Sequence, residues 1–554
     1  MLNYDSLLNI FHHYRLQDLD NWNLRLAWCK LAHVCRRWRY LIYDSSSLLD
    51  MYLLLKNGSP TLDSLAHLPH LPLVVDYCSM TTNRAQQDEL SILTGLQQRD
   101  RVRRASLQVP SPCFGIFLAK LCDLYPILEH LSLSSTTEEE ANIVIPSTFR
   151  APNLRHIALH GMGLPSGWSS FPSTATLVTL TLTRIPASYY FHPGHLITQL
   201  RGLLYLEELS IGFAVPIPLP STEVELLPTP MSPVTLPTLK RLMFQGVAVY
   251  LENLVAQINA PLLERLIVTL FFELVFTLVA LPQFIHKTGR LRCLSAKVLF
   301  KREGFTIVTN DGESLSSGGL TININCEHLD WQIDAAMQCC RALERFLSAV
   351  EELTLDLDKD GMPSDWDNSL DSILWHGLLL PFRSVKKLQI SSSLTYELSG
   401  ALKPDAAGLA LNLLPELQKL EAQLEVNDAN RAFSTFFESR ELAGRPVELF
   451  APSRFELLLN TALHDYATQT GVALEDHPLT EKLKNCNSVD SIMSILQDYL
   501  EDAKAFRNFR DHDDRGKVMK SMISAVSVLF RLSSVLGEAV ALVCPKSFIS
   551  TPSP

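Results

Sequence analysis

One pattern of apolar and polar positions recurs along the middle of the chain. Ten segments carry apolar residues, mostly leucine, at the first, fourth and sixth positions of the motif L-x-x-L-x-L. Because apolar and polar residues alternate at the end of each motif, every copy predicts a half-buried β-strand. The copies lie at residues 125–134, 151–160, 174–183, 203–212, 236–245, 260–269, 288–297, 347–356, 382–391 and 413–422, and 101–109 is a weaker first copy.

The spacing of these motifs is that of a repeat protein. The first apolar position falls at 102, 128, 154, 177, 206, 239, 263 and 291, in steps of 23 to 33 residues. A gap of 59 residues to Val350 has room for two repeats, and residues 319–324 are expected to form a degenerate strand there. This period and signature predict an irregular leucine-rich-repeat solenoid, in which each repeat buries its apolar face against its neighbours.

The segments between the motifs predict helices, loops and insertions. Residues 114–125 and 250–260 have helical spacing and are expected on the convex side. Residues 215–237 hold seven prolines and predict either an extended surface loop or a polyproline ligand for an SH3-type module. Glycine and serine are dense in 301–318, which predicts an irregular insertion. Residues 266–281 are too short for a membrane span and predict a buried strand followed by a buried helix.

The polar positions of the predicted strands define a surface, which we call the outward strip. Side chains alternate along a strand, so these residues are expected to line the concave face. The strip comprises His130, Ser132, Ser134, His156, His160, Thr179, Thr181, Thr183, Glu208, Ser210, Arg241, Gln245, Arg265, Thr269, Glu352, Thr354, Asp356, Lys387, Gln389, Lys419 and Glu421. Its mixed polarity favours a protein partner over a phosphate backbone, and the alternative is a solvated strand face without a partner.

Composition and charge restrict the class of protein. With 554 residues, of which 47% are hydrophobic and 19% charged, the chain is globular and long enough for several units. The net charge of −11 opposes a role in binding duplex nucleic acid. Eleven cysteines without a C-x-x-C pair predict reduced thiols in a cytoplasmic or nuclear protein. The N-terminus has no basic region followed by an apolar core, so no secretory signal is expected.

The first fifty residues carry two helical patterns. Residues 5–16 place Leu7, Leu8, Phe11 and Tyr14 on one face of a helix. A second stripe predicts one continuous helix and comprises Leu24, Trp28, Leu31, Cys35, Trp38 and Ile42. The three arginines of the second helix lie mostly off the stripe. They could bind nucleic acid, bind a membrane surface, or form the solvated side of a helix that docks on a protein. The acidic net charge favours the last of these. A unit of this size has little core of its own, so part of its apolar surface is expected to meet a partner.

This N-terminal order, L-x4-LL-x-IF followed by DL and VCRRWRYLI, resembles an F-box. The string DNWNLRLAWCKLAHVCRRWRYLIYDSSSLL is similar to a basidiomycete fungal group of F-box proteins that carry leucine-rich repeats. The resemblance implies that residues 1–50 dock on the Skp-type adaptor of a cullin–RING ubiquitin ligase, while the repeats hold a protein substrate. The implied adaptor contacts are Leu2, Leu7, Leu8, Phe11, Leu19, Val34, Cys35, Trp38 and Ile42.

After residue 450 the repeat pattern stops and helical patterns follow at 455–471, 487–506 and 517–537. The strings DYATQTGVALEDHPLTEKLKNCNSVDSIMSILQDYLEDAKAFRNFR and SVLFRLSSVLGEAVALVCP resemble the Goodbye domain of fungal STAND NTPases, here as a truncated copy. The resemblance implies a signalling or adaptor role. A phosphate loop is not expected, because Asp511 stands where that loop needs a glycine.

No reactive centre is predicted. His12-His13 and residues 510–515 match no metal-ligand spacing, and no nucleophile motif such as G-x-S-x-G occurs in the chain. We therefore expect no catalytic, cofactor or metal site and no enzyme activity.

The expected fold class is α/β. It comprises a small helical F-box at 1–50, an irregular leucine-rich-repeat solenoid of strands and helices at 70–450, and an all-α domain at 455–554. The expected function is that of a substrate receptor, with a Skp-type adaptor and a protein substrate as partners and neither nucleic acid nor membrane. The alternative is a signalling or scaffold protein that acts through the Goodbye-type domain, or a fusion of two genes.

Overall fold

The computed structural model describes the following residues: 3–17, 27–44, 53–55, 72–81, 90, 92–136, 143–164, 176–216, 233–310, 319–326, 329–358, 372–403, 413–424 and 426–451. The domain expected at 455–554 lies outside the described residues, as do Leu2 and Leu19. The chain divides into two compact units, residues 1–385 with 413–415, and residues 386–412 with 416–554.

Three helices open the first unit: α1 (Tyr4–Gln17), α2 (Ala27–Val34) and α3 (Arg36–Asp44). The prediction of one continuous second helix is wrong, because the helix ends at Val34 and a new one begins at Arg36. Cys35 separates the two, and its sulfur accepts a hydrogen bond from the Trp38 amide at 3.4 Å. That sulfur occupies the place of a capping oxygen at the start of α3. Arg39 ties the two helices together, since its Nε donates to the Ala32 carbonyl at 2.9 Å.

The alternating motifs form a large, mostly parallel β-sheet, and the strand predicted in each of the ten motifs is confirmed. Along these strands buried positions alternate with partly exposed ones, and in β4 the buried leucines alternate with partly exposed polar side chains. The strands of the first unit are β1 (Leu53–Leu55), β2 (Leu73–Cys78), β3 (Val102–Val109), β4 (His130–Ser135), β5 (His156–His160), β6 (Thr179–Ile185), β7 (Glu208–Phe213), β8 (Val234–Thr235), β9 (Arg241–Gly246), β10 (Ile258–Asn259), β11 (Arg265–Phe271), β12 (Ser295–Lys301), β13 (Gly304–Asn310), β14 (Gly319–Asn325) and β15 (Glu352–Leu357).

Within the first unit the sheet runs in the order β1-β2-β3-β4-β5-β6-β7-β9-β11-β14-β13-β12-β15, while β8 and β10 form a separate parallel pair. Up to β11 each strand is parallel to its neighbour, and the apolar residues at equal positions of the motif come into register, as Leu131 does with Ile157. In this register the buried side chains of each strand lie next to the buried side chains of the adjacent strands. The apolar residues of each repeat therefore pack against those of its neighbours.

The order departs from the chain order between β11 and β15. β13 pairs antiparallel with both β12 and β14, so that β14 lies beside β11 and two strands separate β12 from β11. The turn between β12 and β13 relies on Gly304, whose φ of +151° is a conformation that L side chains rarely adopt. A Cβ at Gly304 would also collide with the carbonyl oxygen of Ile324. The irregular insertion expected at 301–318 is therefore wrong for residues 304–310, which are strand β13.

Helices and turns connect the strands. In the first unit they are α4 (Phe114–Leu118), α5 (Pro193–Leu200), α6 (Ala248–Val255), α7 (Ala280–Lys287), α8 (Leu329–Ala342), α9 (Glu344–Leu347) and α10 (Ser372–Leu379). The helix expected over 114–125 ends at Leu118, so that prediction is right only for its first half. The strand expected within 266–281 is β11, but the buried helix expected after it is wrong, because 272–279 is a partly exposed loop and α7 begins only at Ala280. No helix in the described part of the chain is long and apolar enough to cross a bilayer.

The second unit repeats the arrangement on a smaller scale. Its strands are β16 (Lys387–Ile390), β17 (Lys419–Ala422) and β18 (Glu448–Phe450), and its helices are α11 (Thr395–Ala401) and α12 (Val426–Leu442). The three strands are parallel in the order β16-β17-β18. α12 buries Phe433 and Phe436 together with the stem of Arg440, whose Nη2 donates to the Leu417 carbonyl at 3.0 Å.

Candidate functional site

The parallel register arranges the outward strip in rows that run across the strands. Residues at equal positions of successive strands are paired, so that each row takes one residue from each strand. The first row is Arg104, His130, His156, Thr179, Glu208, Arg241 and Arg265; the second is Ser106, Ser132, Ala158, Thr181, Ser210, Met243 and Ile267. A third row begins with Gln108, Ser134, His160 and Thr183.

A pair of histidines forms the centre of the first row. The rings of His130 and His156 stack with their centroids 4.2 Å apart and an angle of 3° between their planes. His156 Nδ1 lies 3.0 Å from Thr179 Oγ1, which extends the contact to a third strand. Burial, followed by the nearby His156 and Arg104, lowers the pKa of His130 to about 4. Burial and the Arg155 charge also lower the pKa of His156, so both rings are neutral at pH 7.

The third row contains a second imidazole contact beside an irregular piece of strand. His160 Nδ1 lies 2.9 Å from Thr183 Oγ1. The next residue, Arg184, has a φ of 52°, and the register between β6 and β7 shifts between Leu182 and Ile185. A non-glycine residue in this left-handed region is strained, and strain of this kind concentrates where a surface has a function. Burial, followed by the Arg184 charge, lowers the pKa of His160.

Six of the eight charged residues of the strip form ion pairs. Arg241 binds Glu208 on the adjacent strand at 2.6 Å. Asp356 of β15 binds Lys297 of β12 at 2.7 Å, and Lys297 is a residue that the sequence pattern did not place on the strip. In the second unit, Lys387 and Lys419 both bind Glu421, at 3.1 and 2.8 Å. Because of these ion pairs the face is polar but carries little net charge. Such a face is better suited to bind another protein than to bind a polyanion.

Several residues of the face are absent from the predicted strip. Asn323 of β14 donates to Thr269 Oγ1 at 3.3 Å and accepts from Thr306 Oγ1 at 3.0 Å, so one amide joins three strands. Residues 319–324 were predicted as a strand, and alternation along it was the available signal for Asn323. Thr306 had no such signal, because the glycines and serines around it conceal its strand. Met243 is an exposed apolar residue within the second row.

The N-terminal helices divide the implied adaptor contacts into two groups. Leu7, Phe11 and Ile42 are buried between the helices. The Phe11 and Trp38 rings meet edge to face with centroids 4.9 Å apart, and Trp38 is half-buried, as is Leu8. Val34, by contrast, is 60% exposed, and Cys35 is exposed beside it. The first group holds the three helices together, and the second is the part of the predicted set that a partner can reach.

The buried thiols are unsuited to nucleophilic chemistry. Cys339 and Cys340 are fully buried free thiols of α8, and burial raises the pKa of Cys339 to about 12. Such a thiol stays protonated and is a poor nucleophile. Within the described ranges, no three side chains of His, Cys, Asp or Glu are grouped so as to hold a metal ion.

The chain was compared with known proteins. No family model matches it, and no curated protein matches it.

Proposed function

We propose that the large sheet is the strand side of an irregular leucine-rich-repeat solenoid. The period of the motifs supports this, as does the parallel pairing of strands that follow one another along the chain. Polar side chains just before the strands also bind the preceding repeat: Asn153 Nδ2 donates to the Pro126 carbonyl at 2.7 Å, and Thr238 Oγ1 to the Leu206 carbonyl at 3.0 Å. Contacts of each unit with its nearest neighbours are the defining property of solenoids.

On this basis we infer that the protein is a substrate receptor of a cullin–RING ubiquitin ligase. The N-terminal helices present a docking surface to a Skp-type adaptor, and the outward strip holds a protein target. The observation that carries the proposal is the alignment of polar side chains, led by the stacked His130 and His156, in rows across successive strands. A broad, rigid and nearly neutral polar face of this kind is suited to protein recognition.

Co-purification with a Skp-type adaptor tests the first half of the proposal. Val34→Asp places a charge on the exposed part of the N-terminal module and is expected to abolish capture of the adaptor at micromolar concentrations. Tyr40→Asp is the matched control, because Tyr40 is a large exposed residue of the same module outside the implied adaptor set. The proposal is supported if the Tyr40 variant retains the adaptor and the Val34 variant does not.

The opposite outcome favours the alternative. If the unmodified protein captures no adaptor, or if both variants behave alike, the receptor function is wrong. The resemblance of residues 455–554 to a Goodbye domain then makes a signalling or scaffold role the better candidate. Sequencing the transcript across residues 440–460 separates that outcome from a fusion of two genes.

A further inference from the structure

A cleft of about 610 Å³ lies where the strand order departs from the chain order. α7 carries the chain from β11 to β12, past the positions of β14 and β13. α8 and α9 then carry it from β14 to β15, past β13 and β12. The cleft lies between these two connections and is lined by α7, by residues 289–294, and by the end of α8 with α9 and Ala349. Its volume is in the range of small-molecule sites, about 300–1,000 Å³.

The inner wall of the cleft is apolar. Ile285, Leu291, Cys293 and Leu343 are lining residues that are themselves buried. Phe346 continues the wall toward the opening, where Leu294 is exposed. A chain of methylene groups in this space would lose contact with water without leaving a buried polar group unpaired.

The opening of the cleft is cationic. Four basic side chains line the cleft and are exposed, which places them at its rim: His286 and Lys287 from the end of α7, Arg292 from the following segment and Arg345 of α9. In the part of the chain that the structure describes, no ion pair involves any of these four side chains. The total charge of the protein is −11, so a group of basic residues without acidic partners is a local reversal of the overall field.

Two acidic residues, one of which directly precedes Arg345 in the chain, are already paired with cations that do not line the cleft. Glu264 binds Arg290 at 2.8 Å, and Glu344 binds Arg383. Both carboxylates therefore have a cation of their own, and the basic rim of the cleft keeps its positive potential for an external anion.

We propose that this cleft binds an amphipathic anion, a single carboxylate head group on a linear hydrocarbon tail. The tail lies along Ile285, Leu291 and Phe346, and the head group stays at the rim beside Lys287 and Arg292. A guanidinium group is suited to a carboxylate because its paired N–H groups match the two oxygens. An apolar wall with a few charged groups at one end is the usual composition of such a site.

A series of linear carboxylates tests the proposal by calorimetric titration of the full chain. From hexanoate to decanoate, Kd is expected to fall about fourfold for each added methylene group. Decanol, which has the tail but no charge, and acetate, which has the charge but no tail, are both expected to bind at least tenfold more weakly than decanoate. Absence of saturable decanoate binding, or equal binding of decanol, overturns the proposal.

Variants locate the site. Lys287→Gln combined with Arg292→Gln is expected to weaken decanoate binding about tenfold, since both residues are exposed and the fold does not depend on their charge. Arg302→Gln, an exposed cation of the β12–β13 turn outside the cleft, is the matched control and is expected to change nothing. Ala349→Leu is expected to fill part of the cleft and weaken decanoate binding more than hexanoate binding. Unchanged affinity in the Lys287/Arg292 double variant and in the Ala349 variant means that decanoate binds elsewhere and the proposal is wrong.

Discussion

The imidazole rings of His130 and His156 lie face to face across two neighbouring parallel strands, 4.2 Å apart at their centroids. Their contact follows from the register, because residues paired across a sheet stand about 4.8 Å apart along the hydrogen-bonding direction. A proton on one ring would repel a proton on the other in a partly desolvated place. The pair is therefore stable as two neutral rings.

The first prediction is a loss of stability in mild acid. The pKa of His130 is about 4 in the folded protein against 6.5 for an unperturbed histidine, so the unfolded state binds more protons between these values. The free energy of unfolding should therefore fall as pH is lowered from about 6.5 to 4. Because the side chain is only half-buried, we expect a contribution of about 1 kcal/mol. Urea unfolding at pH 7.5 and pH 4.5 measures it.

His130→Gln is the control for this prediction, because glutamine does not titrate. The variant should lose less stability between the two pH values than the unmodified protein, by about 1 kcal/mol. An equal loss in both proteins would assign the acid sensitivity to other groups.

The second prediction concerns the turn between β12 and β13. Gly304→Ala should lower the free energy of unfolding by about 2 kcal/mol or more, because alanine is strained at the observed φ and its Cβ meets the Ile324 carbonyl. Gly115→Ala is the matched control. A Cβ at Gly115 meets nothing in the helix α4, so this change should be neutral or stabilise by up to about 1 kcal/mol. Similar results for both variants in thermal unfolding would contradict the structure of the turn.

The third prediction concerns the strained residue of β6. Arg184→Gly should raise the free energy of unfolding by about 0.5–1 kcal/mol, because glycine adopts the observed φ of 52° without steric strain. Arg155→Gly, which changes an exposed arginine on a neighbouring part of the sheet without positive φ, should not stabilise. Chemical unfolding of the two variants measures the difference, and stabilisation of the Arg155 variant alone would be inconsistent with strain at Arg184.

The fourth prediction separates the two groups of N-terminal residues. Phe11→Ala should destabilise the helical module by about 3–5 kcal/mol, because Phe11 is 1% exposed and its ring contacts Trp38. Val34→Ala should change stability by less than about 0.5 kcal/mol, since Val34 faces solvent. Amide exchange over residues 4–44 measures both, and equal protection in the two variants would refute the placement of Phe11.

The strands could be predicted because their apolar residues alternate over a repeated motif, and the structure has a strand in every copy. β2 was missed because Leu73, Val74 and Val75 form a continuous apolar run that lacks the motif. The break at Cys35 was missed for the opposite reason, since the apolar stripe continues across it without interruption. At the break the Trp38 amide donates to the Cys35 sulfur, a contact that the periodicity of apolar residues does not predict.

For the outward strip, the sequence predicts which residues belong to it but not which of them contact each other. Its members follow from alternation alone, whereas their contacts follow from register: the repeat places His130 and His156 at equal positions, and the sheet then stacks them. The pairing of Lys297 with Asp356 was not predictable, because it depends on β12 lying beside β15 rather than beside β11. The antiparallel pairing of β13 with β12 and β14 produces that order, and β13 does not carry the repeat signature.

The same order has a consequence for synthesis of the chain. The free edge of β11 is covered by β14, which the ribosome makes about fifty residues later, at roughly 5–20 residues per second. For several seconds the growing protein therefore carries a parallel sheet with an uncovered edge, the kind of template on which chains aggregate. A nascent chain that stalls before residue 325 would keep that edge open, and we expect recruitment of chaperones to be greatest in this interval.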